Sequence, residues 1–169
     1  MLKRLKAMWS FFRKESVLKE MAIGMCSDVD FKRDLHIVFL DFDEVSLEEV
    51  EESIIELQQF WNLSDCFIYK TRNGHHGYFF YDFMPYSRVK LIIDYAKYVD
   101  PMFKYISRFY DHKTIRVAGK YKEHDIFFVK MISGKRSPSL KEVEIGNLKR
   151  KEREALSKMG NMLSKGGLK

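Results

Sequence analysis

Residues 36–44 read HIVFLDFDE, and this segment narrows the possible folds more than any other. Ile37, Val38, Phe39 and Leu40 form an unbroken apolar run, which suits a strand buried on both faces. The run ends in Asp41 and Asp43, one residue apart. Side chains alternate across a strand, so the two carboxylates share a face. Placed side by side at the end of an apolar strand, they repel each other and lose hydration. A divalent cation that favours hard oxygen ligands, magnesium or manganese, relieves both problems. The plainer alternative is a polar strand end whose aspartates face water or cap backbone groups.

The segments that follow set the fold class. Ser46 opens a helix with Glu49 closing a capping box and Glu48 favouring the same end; Leu47, Val50, Ile54, Leu57 and Trp61 give it one apolar face. Residues 66–72 (CFIYKTR) and 76–83 (HGYFFYDF) read as strands, joined at Asn73-Gly74, a strong hairpin signal. A helix is expected over 86–98, with Pro101 against its continuation. Residues 113–119 and 125–132 read as two further strands. The order implies an α+β fold: a palm-like or RRM-like, antiparallel-rich sheet with helices packed on one face. Leu2, Leu5, Met8, Trp9 and Phe12 recur at helical spacing, so residues 1–27 read as helical. The chain therefore divides into an N-terminal helical segment (1–30), a core (31–134) and a basic linker with a C-terminal helix (135–169).

Composition removes several classes of protein. With 46% hydrophobic and 15% aromatic residues, the chain can bury a real core. It has no apolar run long enough to span a membrane, and residues 1–15 mix charge into their apolar positions, unlike a signal peptide. An intracellular, cytoplasmic protein is expected. Cys26 and Cys66 stand far apart without a CxxC motif, so buried free thiols are expected rather than a zinc site or disulfide framework.

Charge is unevenly spread. From Lys135 onward there are ten Lys or Arg against four Asp or Glu, while the rest of the chain is balanced. Such a segment is either a solubilising tail or one that tracks phosphates, with Lys149, Arg150, Lys151 and Arg153 as nucleic-acid contacts. Gly146, Gly160, Gly166 and Gly167 weaken its helix. The tail is expected to order against a partner or the core, and to serve nucleic acid more than folding.

Three further features carry chemistry. In Thr71–Phe79 a polar hairpin delivers His76 to an aromatic strand, with Lys70 and Arg72 nearby; such a histidine can donate to a phosphate oxygen, or be a plain turn residue. Arg116 stands between Ile115 and Val117, followed by Gly119 and Lys120; it either clamps a phosphate or points into solvent. A two-metal site needs a third carboxylate. Asp100 and Asp111 are both candidates, and Asp100 would equally serve as a helix cap.

Taken in order, these pieces resemble the three motifs of the archaeo-eukaryotic primase (primase-polymerase) superfamily. The first is Phe39-Leu40-Asp41-Phe42-Asp43, the second Thr71 through His76 and Tyr78, the third Val99-Asp100 with Arg116 and Gly119-Lys120. The likeness spans about residues 39–130. It implies a metal-dependent enzyme, of an archaeal or mobile-element kind, that joins nucleotides on a single-stranded DNA template. Asp41, Asp43 and Asp100 would bind Mg²⁺ or Mn²⁺, with Asp111 as the alternative third acid. His76, Arg116 and Lys120 would hold the nucleoside triphosphate, with Thr71 and Arg72 in the same hairpin. A helicase or a large primase subunit would be the partner. The pattern departs from the superfamily at Gly74, where serine is frequent, in the long interval from Asp100 to Arg116, and in lacking a zinc-binding element.

Other classes share parts of this pattern. Haloacid-dehalogenase-type phosphatases also begin with an apolar strand and an acid pair, but normally carry glycine where Glu44 stands. Rolling-circle replication initiators share a palm-like core, and His75-His76 partly fits them. A non-catalytic nucleic-acid-binding module of a replication complex would stack bases on Tyr78, Phe80 and Tyr81.

Overall fold

The computed structural model describes residues 22–119 and 126–164. The chain runs β1 (Ala22–Cys26), β2 (Asp28–Asp30), β3 (Leu35–Asp43), α1 (Leu47–Trp61), β4 (Cys66–Lys70), β5 (Gly74–Met84), α2 (Tyr86–Tyr95), α3 (Pro101–Ser107), β6 (Thr114–Gly119), β7 (Phe127–Ile132) and α4 (Leu140–Ser164). Five strands form an antiparallel sheet in the order β2-β3-β5-β4-β7, and β1 pairs with β6 in a separate two-stranded sheet. The fold is thus α+β with four helices among the described residues, and none of these helices is long and apolar enough to cross a membrane.

The apolar run of β3 behaves as its sequence requires: Ile37, Val38, Phe39, Leu40 and Phe42 are wholly buried. The capping box of α1 is formed, with the Ser46 amide donating to Glu49 Oε2 at 2.8 Å and the Glu49 amide donating to Ser46 Oγ at 3.2 Å. Val50, Ile54 and Leu57 turn inward from that helix. Helix α2 lies beside α1, where Phe60 and Tyr95 stack at 4.6 Å between ring centres, and Val89, Ile92 and Ile93 bury its inner face. Helix α2 ends at Tyr95, before the expected limit of 98. Pro101 then starts a helix, occupying the first turn of α3 where a missing N–H costs nothing.

Two expectations are corrected by tertiary pairing. Residues 22–26 and 28–30, which read as part of an N-terminal helix or the segment containing it, are strands. β1 lies along β6, with Met25 opposite Ile115 and a bulge at Ile23/Gly24, and pairing of this kind overrides a local helical preference. The apolar stripe from Leu2 to Phe12 lies outside the described residues.

The helices also fail to keep to one sheet face. α1 and α2 back one side, while α4 crosses the other, where Phe67, Tyr69 and Tyr78 point; Arg150 lies over the Phe67 ring and Arg153 over Tyr69 and Tyr78. The glycines that weaken this helix are what seat it. A Cβ on Gly146 would stand 2.4 Å from the Phe80 carbonyl oxygen, and one on Gly160 would stand 2.3 Å from the Ala118 Cβ. The linker is fastened as well: buried Asp82 accepts from Ser64 Oγ at 2.6 Å and from Arg136 Nε at 2.8 Å. The basic C-terminal segment thus orders against the core, one of the two ways in which it was expected to do so.

Candidate functional site

The register of β3 against β5 assembles a cleft. Asp41 lies opposite His76 and Asp43 opposite Gly74, so alternation brings Asp41, Asp43 and His76 to one face while Phe42 enters the core. Asp41, Asp43, Thr71, Arg72, Asn73, His76 and Arg116 line a space of about 220 Å³. Arg116 reaches it from β6, in the second sheet, and is exposed rather than embedded among its apolar neighbours.

The turn that closes one side is shifted by one residue from the expected Asn73-Gly74 doublet. Its loop is Arg72-Asn73, neither residue at positive φ, and the Gly74 amide donates to Thr71 Oγ1 at 3.0 Å. The Thr71 hydroxyl thus holds the turn. The Glu44 amide donates to the Asn73 carbonyl at 3.0 Å, with Glu44 at φ 60° where β3 ends, so turn and acids form one unit. Gly74 already belongs to β5, and a Cβ there would lie 1.7 Å from the Phe42 carbonyl oxygen. No side chain fits at this position, which gives a local reason for glycine in place of serine.

Asp100 joins the acids and Asp111 does not. The Asp100 amide donates to the Asp41 carbonyl at 2.8 Å, fixing the start of α3 beside the end of β3. Its Oδ1 accepts the Phe103 amide at 2.6 Å, so the reading of Asp100 as a helix cap holds. Asp111 is 96% exposed and paired with His112 at 2.8 Å, away from the cleft. That hydrogen bond holds its carboxyl below the usual range.

Electrostatics show the acids crowded together. Burial raises the Asp43 carboxyl, the charges of Asp41 and Asp100 raise it further, and His76 and Arg116 oppose them. Asp41 Oδ1 is buried without a hydrogen-bond partner; His76 Nε2 approaches to 3.3 Å without the alignment of a hydrogen bond. On its other side, His76 Nδ1 is 3.2 Å from the Tyr78 hydroxyl, to which Arg153 also donates. One tautomer satisfies this chain: Arg153 to Tyr78, Tyr78 to His76 Nδ1, and the proton of Nε2 toward Asp41.

A divalent cation suits part of this arrangement. Among the described residues no three His, Cys, Asp or Glu side chains stand together so as to enclose an ion. The orphaned Asp41 Oδ1 and the repulsion felt by Asp43 are nevertheless what a cation between these carboxylates would relieve. Asp100 would contribute through Oδ2, since Oδ1 serves the α3 cap.

Sequence reasoning passed over Lys113. Its side chain is buried, donates to the Phe103 carbonyl at 2.9 Å and lies 3.8 Å from the Phe103 ring centre. Burial lowers its amine, while the nearby charges of Asp41 and Asp100 raise it. A lysine directly before an apolar strand reads as an ordinary strand end, so nothing marked it.

The remaining expectations divide. Lys120 lies outside the described residues. Lys149, Arg150, Lys151 and Arg153 form no common solvent-facing stripe: Arg153 is 2% exposed, Arg150 turns onto Phe67, Lys149 pairs with Glu152 at 2.9 Å, and Lys151 faces water. Tyr78 and Phe80 are wholly buried and Tyr81 nearly so, because α4 covers them. They present no platform for bases in this state. His75 and His76 point to opposite faces, so they cannot act as a pair. Cys66 is buried and Cys26 partly so, and both thiols are free.

Comparison of the chain with protein-family models, with curated proteins and with solved structures finds no match.

Proposed function

We propose that this chain is a metal-dependent nucleotidyltransferase of the primase-polymerase kind, acting on nucleoside triphosphates along a single-stranded DNA template. The observation that supports this reading is convergence. Asp41 and Asp43 from β3, His76 from β5 and Arg116 from the second sheet line one cleft, and Asp100, at the start of α3, is near enough for its charge to act on Asp43. An antiparallel sheet backed by α1 and α2 is also consistent with a palm-like, RRM-like core.

Asp41 and Asp43, with Asp100 beside them, would hold Mg²⁺ or Mn²⁺. Such an ion, when bound, would favour ionisation of an attacking hydroxyl and offset charge on the transferred phosphoryl group. Arg116 and Arg72 line the same cleft and would orient the triphosphate through their forked donors. His76, held by Tyr78, would keep its Nε2 proton directed at Asp41 or at a phosphate oxygen that displaces it. Lys113 would temper the repulsion of Asp41 and Asp100 from beneath. A helicase or a large primase subunit would be its partner.

The commitment of Asp100 Oδ1 to the α3 cap favours one second reading, a non-catalytic nucleic-acid-binding module with the same core. Incorporation assays with a primed and an unprimed template, labelled rNTPs or dNTPs, and either metal separate the two. The polymerase reading expects incorporation that falls by about a thousandfold or more in Asp43→Ala, with circular dichroism and melting unchanged. Full synthesis by Asp43→Ala would refute the assignment. Wild-type protein that binds the template and incorporates nothing in either metal would leave the binding module.

A further inference from the structure

A second cavity on the same sheet face has no place in the chemistry above. It lies between α4 and the β4–β7 edge, has a volume of about 450 Å³, and is lined by Phe67, Tyr69, Phe128, Arg150, Arg153 and Lys158 among others, with Glu154 its one acid among the described residues. From its residues we infer that this groove binds a nucleoside phosphate, with the base laid against Phe128 and the phosphate drawn to Arg150, Arg153 and Lys158.

Arg153 carries the argument. It is 2% exposed, and its Nε and Nη2 have no hydrogen-bond partner. No carboxylate pairs with it among the described residues. Its charge rests on the Tyr69 ring at 3.4 Å, the Tyr78 ring at 5.3 Å and the Tyr78 hydroxyl. Cation–π contacts of this kind return less than removing an unpaired guanidinium from water costs. An anion drawn into the groove would make up the difference. Arg150 repeats the pattern one turn earlier, stacked over Phe67 with Nε unpartnered.

The walls say which anion. Phe128 is 51% exposed, packed edge-on to Tyr69 and tilted against Phe67, so one aromatic surface stays open beside the cations. A bare inorganic anion would use the charges and leave that ring wet. A base joined to a phosphate uses both, as in the stacking sites of single-strand binders. Position adds to this: Tyr69, in the groove, is the strand partner of His76, in the acidic cleft. A polynucleotide leaving the cleft across β4 would enter the groove. The choice of a strand over a free nucleotide rests on the function proposed above; the site itself does not.

Fluorescence anisotropy of a labelled oligothymidylate with the full chain in EDTA tests this apart from catalysis. Phe128→Ser is expected to weaken binding about tenfold. Arg150→Gln is expected to weaken it several-fold and to lower the slope of log affinity against log salt by about one. Binding is read in EDTA, where no metal-dependent incorporation runs, so loss of incorporation and loss of the groove are read separately. Thymidine monophosphate competing at millimolar levels, with the same dependence on Phe128, would assign the groove to free nucleotides; competition by oligomers alone would assign it to a strand. No oligonucleotide binding, or affinity indifferent to Phe128→Ser in a natively folded variant, would overturn the inference.

Discussion

The two ends of one sheet face differ sharply although the same strand alternation builds both. His76 and Tyr78 are neighbours on the same side of β5, yet His76 borders an open acidic cleft and Tyr78 is sealed beneath α4. At the acid end, the nearest cover is a two-residue turn held tight to β3 by Gly74. At the aromatic end, the cover is a helix seated through Gly146 and Gly160. The lesson is that a strand's own pattern decides which side chains share a face, while a distant segment decides whether that face meets solvent. The ends are also joined, since Arg153, Tyr78, His76 and Asp41 form a continuous polar path from groove to cleft.

The strongest way to break this contrast is to alter the two glycines. Gly74→Ala would place a methyl 1.7 Å from the Phe42 carbonyl oxygen, and β3 and β5 would have to part where Asp43 is paired. A loss of about 3 kcal/mol or more is expected, a fall of roughly 10 °C in melting temperature. A melt within about 2 °C of the wild type would mean the turn yields freely, and the acid end would then be no more constrained than an ordinary hairpin. Gly146→Ala comes next and tests the sign of two opposed effects. Alanine gains about 1 kcal/mol in helix propensity. Its methyl, however, would lie 2.3 Å from the Tyr81 ring and 2.4 Å from the Phe80 carbonyl oxygen, and such overpacking costs about 2–3 kcal/mol. A net loss of about 1–2 kcal/mol is expected in denaturant titration, with increased binding of an apolar dye as α4 lifts from the aromatic face. A more stable variant would show that α4 rests on the sheet only loosely.

What the sequence disclosed follows the range over which each signal acts. The strands from β3 to β7 and the helix after Ser46 were legible because alternation, capping and apolar spacing act within a few residues. β1 was not, since its structure depends on β6, more than eighty residues later, and a five-residue strand carries little pattern of its own. The acid pair was legible as one face of β3, whereas the placing of His76 on that face follows from the β3–β5 register, which no local signal gives. Asp100 could not be chosen over Asp111 before the hydrogen bond from its amide to Asp41 was seen. Lys113 and the inward turn of Arg153 left no local trace. Gly146 and Gly160 did leave one, but it was read backwards: residues that weaken an isolated helix are the ones that let this helix approach a sheet.

The smallest expected effect sharpens the contrast at the point where α4 begins. Glu142 accepts the Ser139 amide at 2.7 Å, and its own amide donates to Ser139 Oγ at 3.3 Å, a capping arrangement like that of Ser46 and Glu49. Arg136 also donates to both of its carboxylate oxygens. Burial alone would raise this carboxyl, but the hydrogen bonds from Arg136 and Ser139 outweigh it and hold it below its ordinary value. The unfolded chain therefore takes up the proton at a higher pH than the folded one. The stabilisation is complete above the ordinary glutamate value of about 4.3 and fades as pH falls through the lower folded value. Glu142→Gln keeps an oxygen for Ser139 and loses the charge that Arg136 grips. It should cost about 1 kcal/mol at neutral pH, and its melting curve should converge on the wild type as pH falls through that acid range. A gap that stays constant down to the acid limit would assign the loss to shape rather than charge, and α4 would then be held by its glycine notches alone.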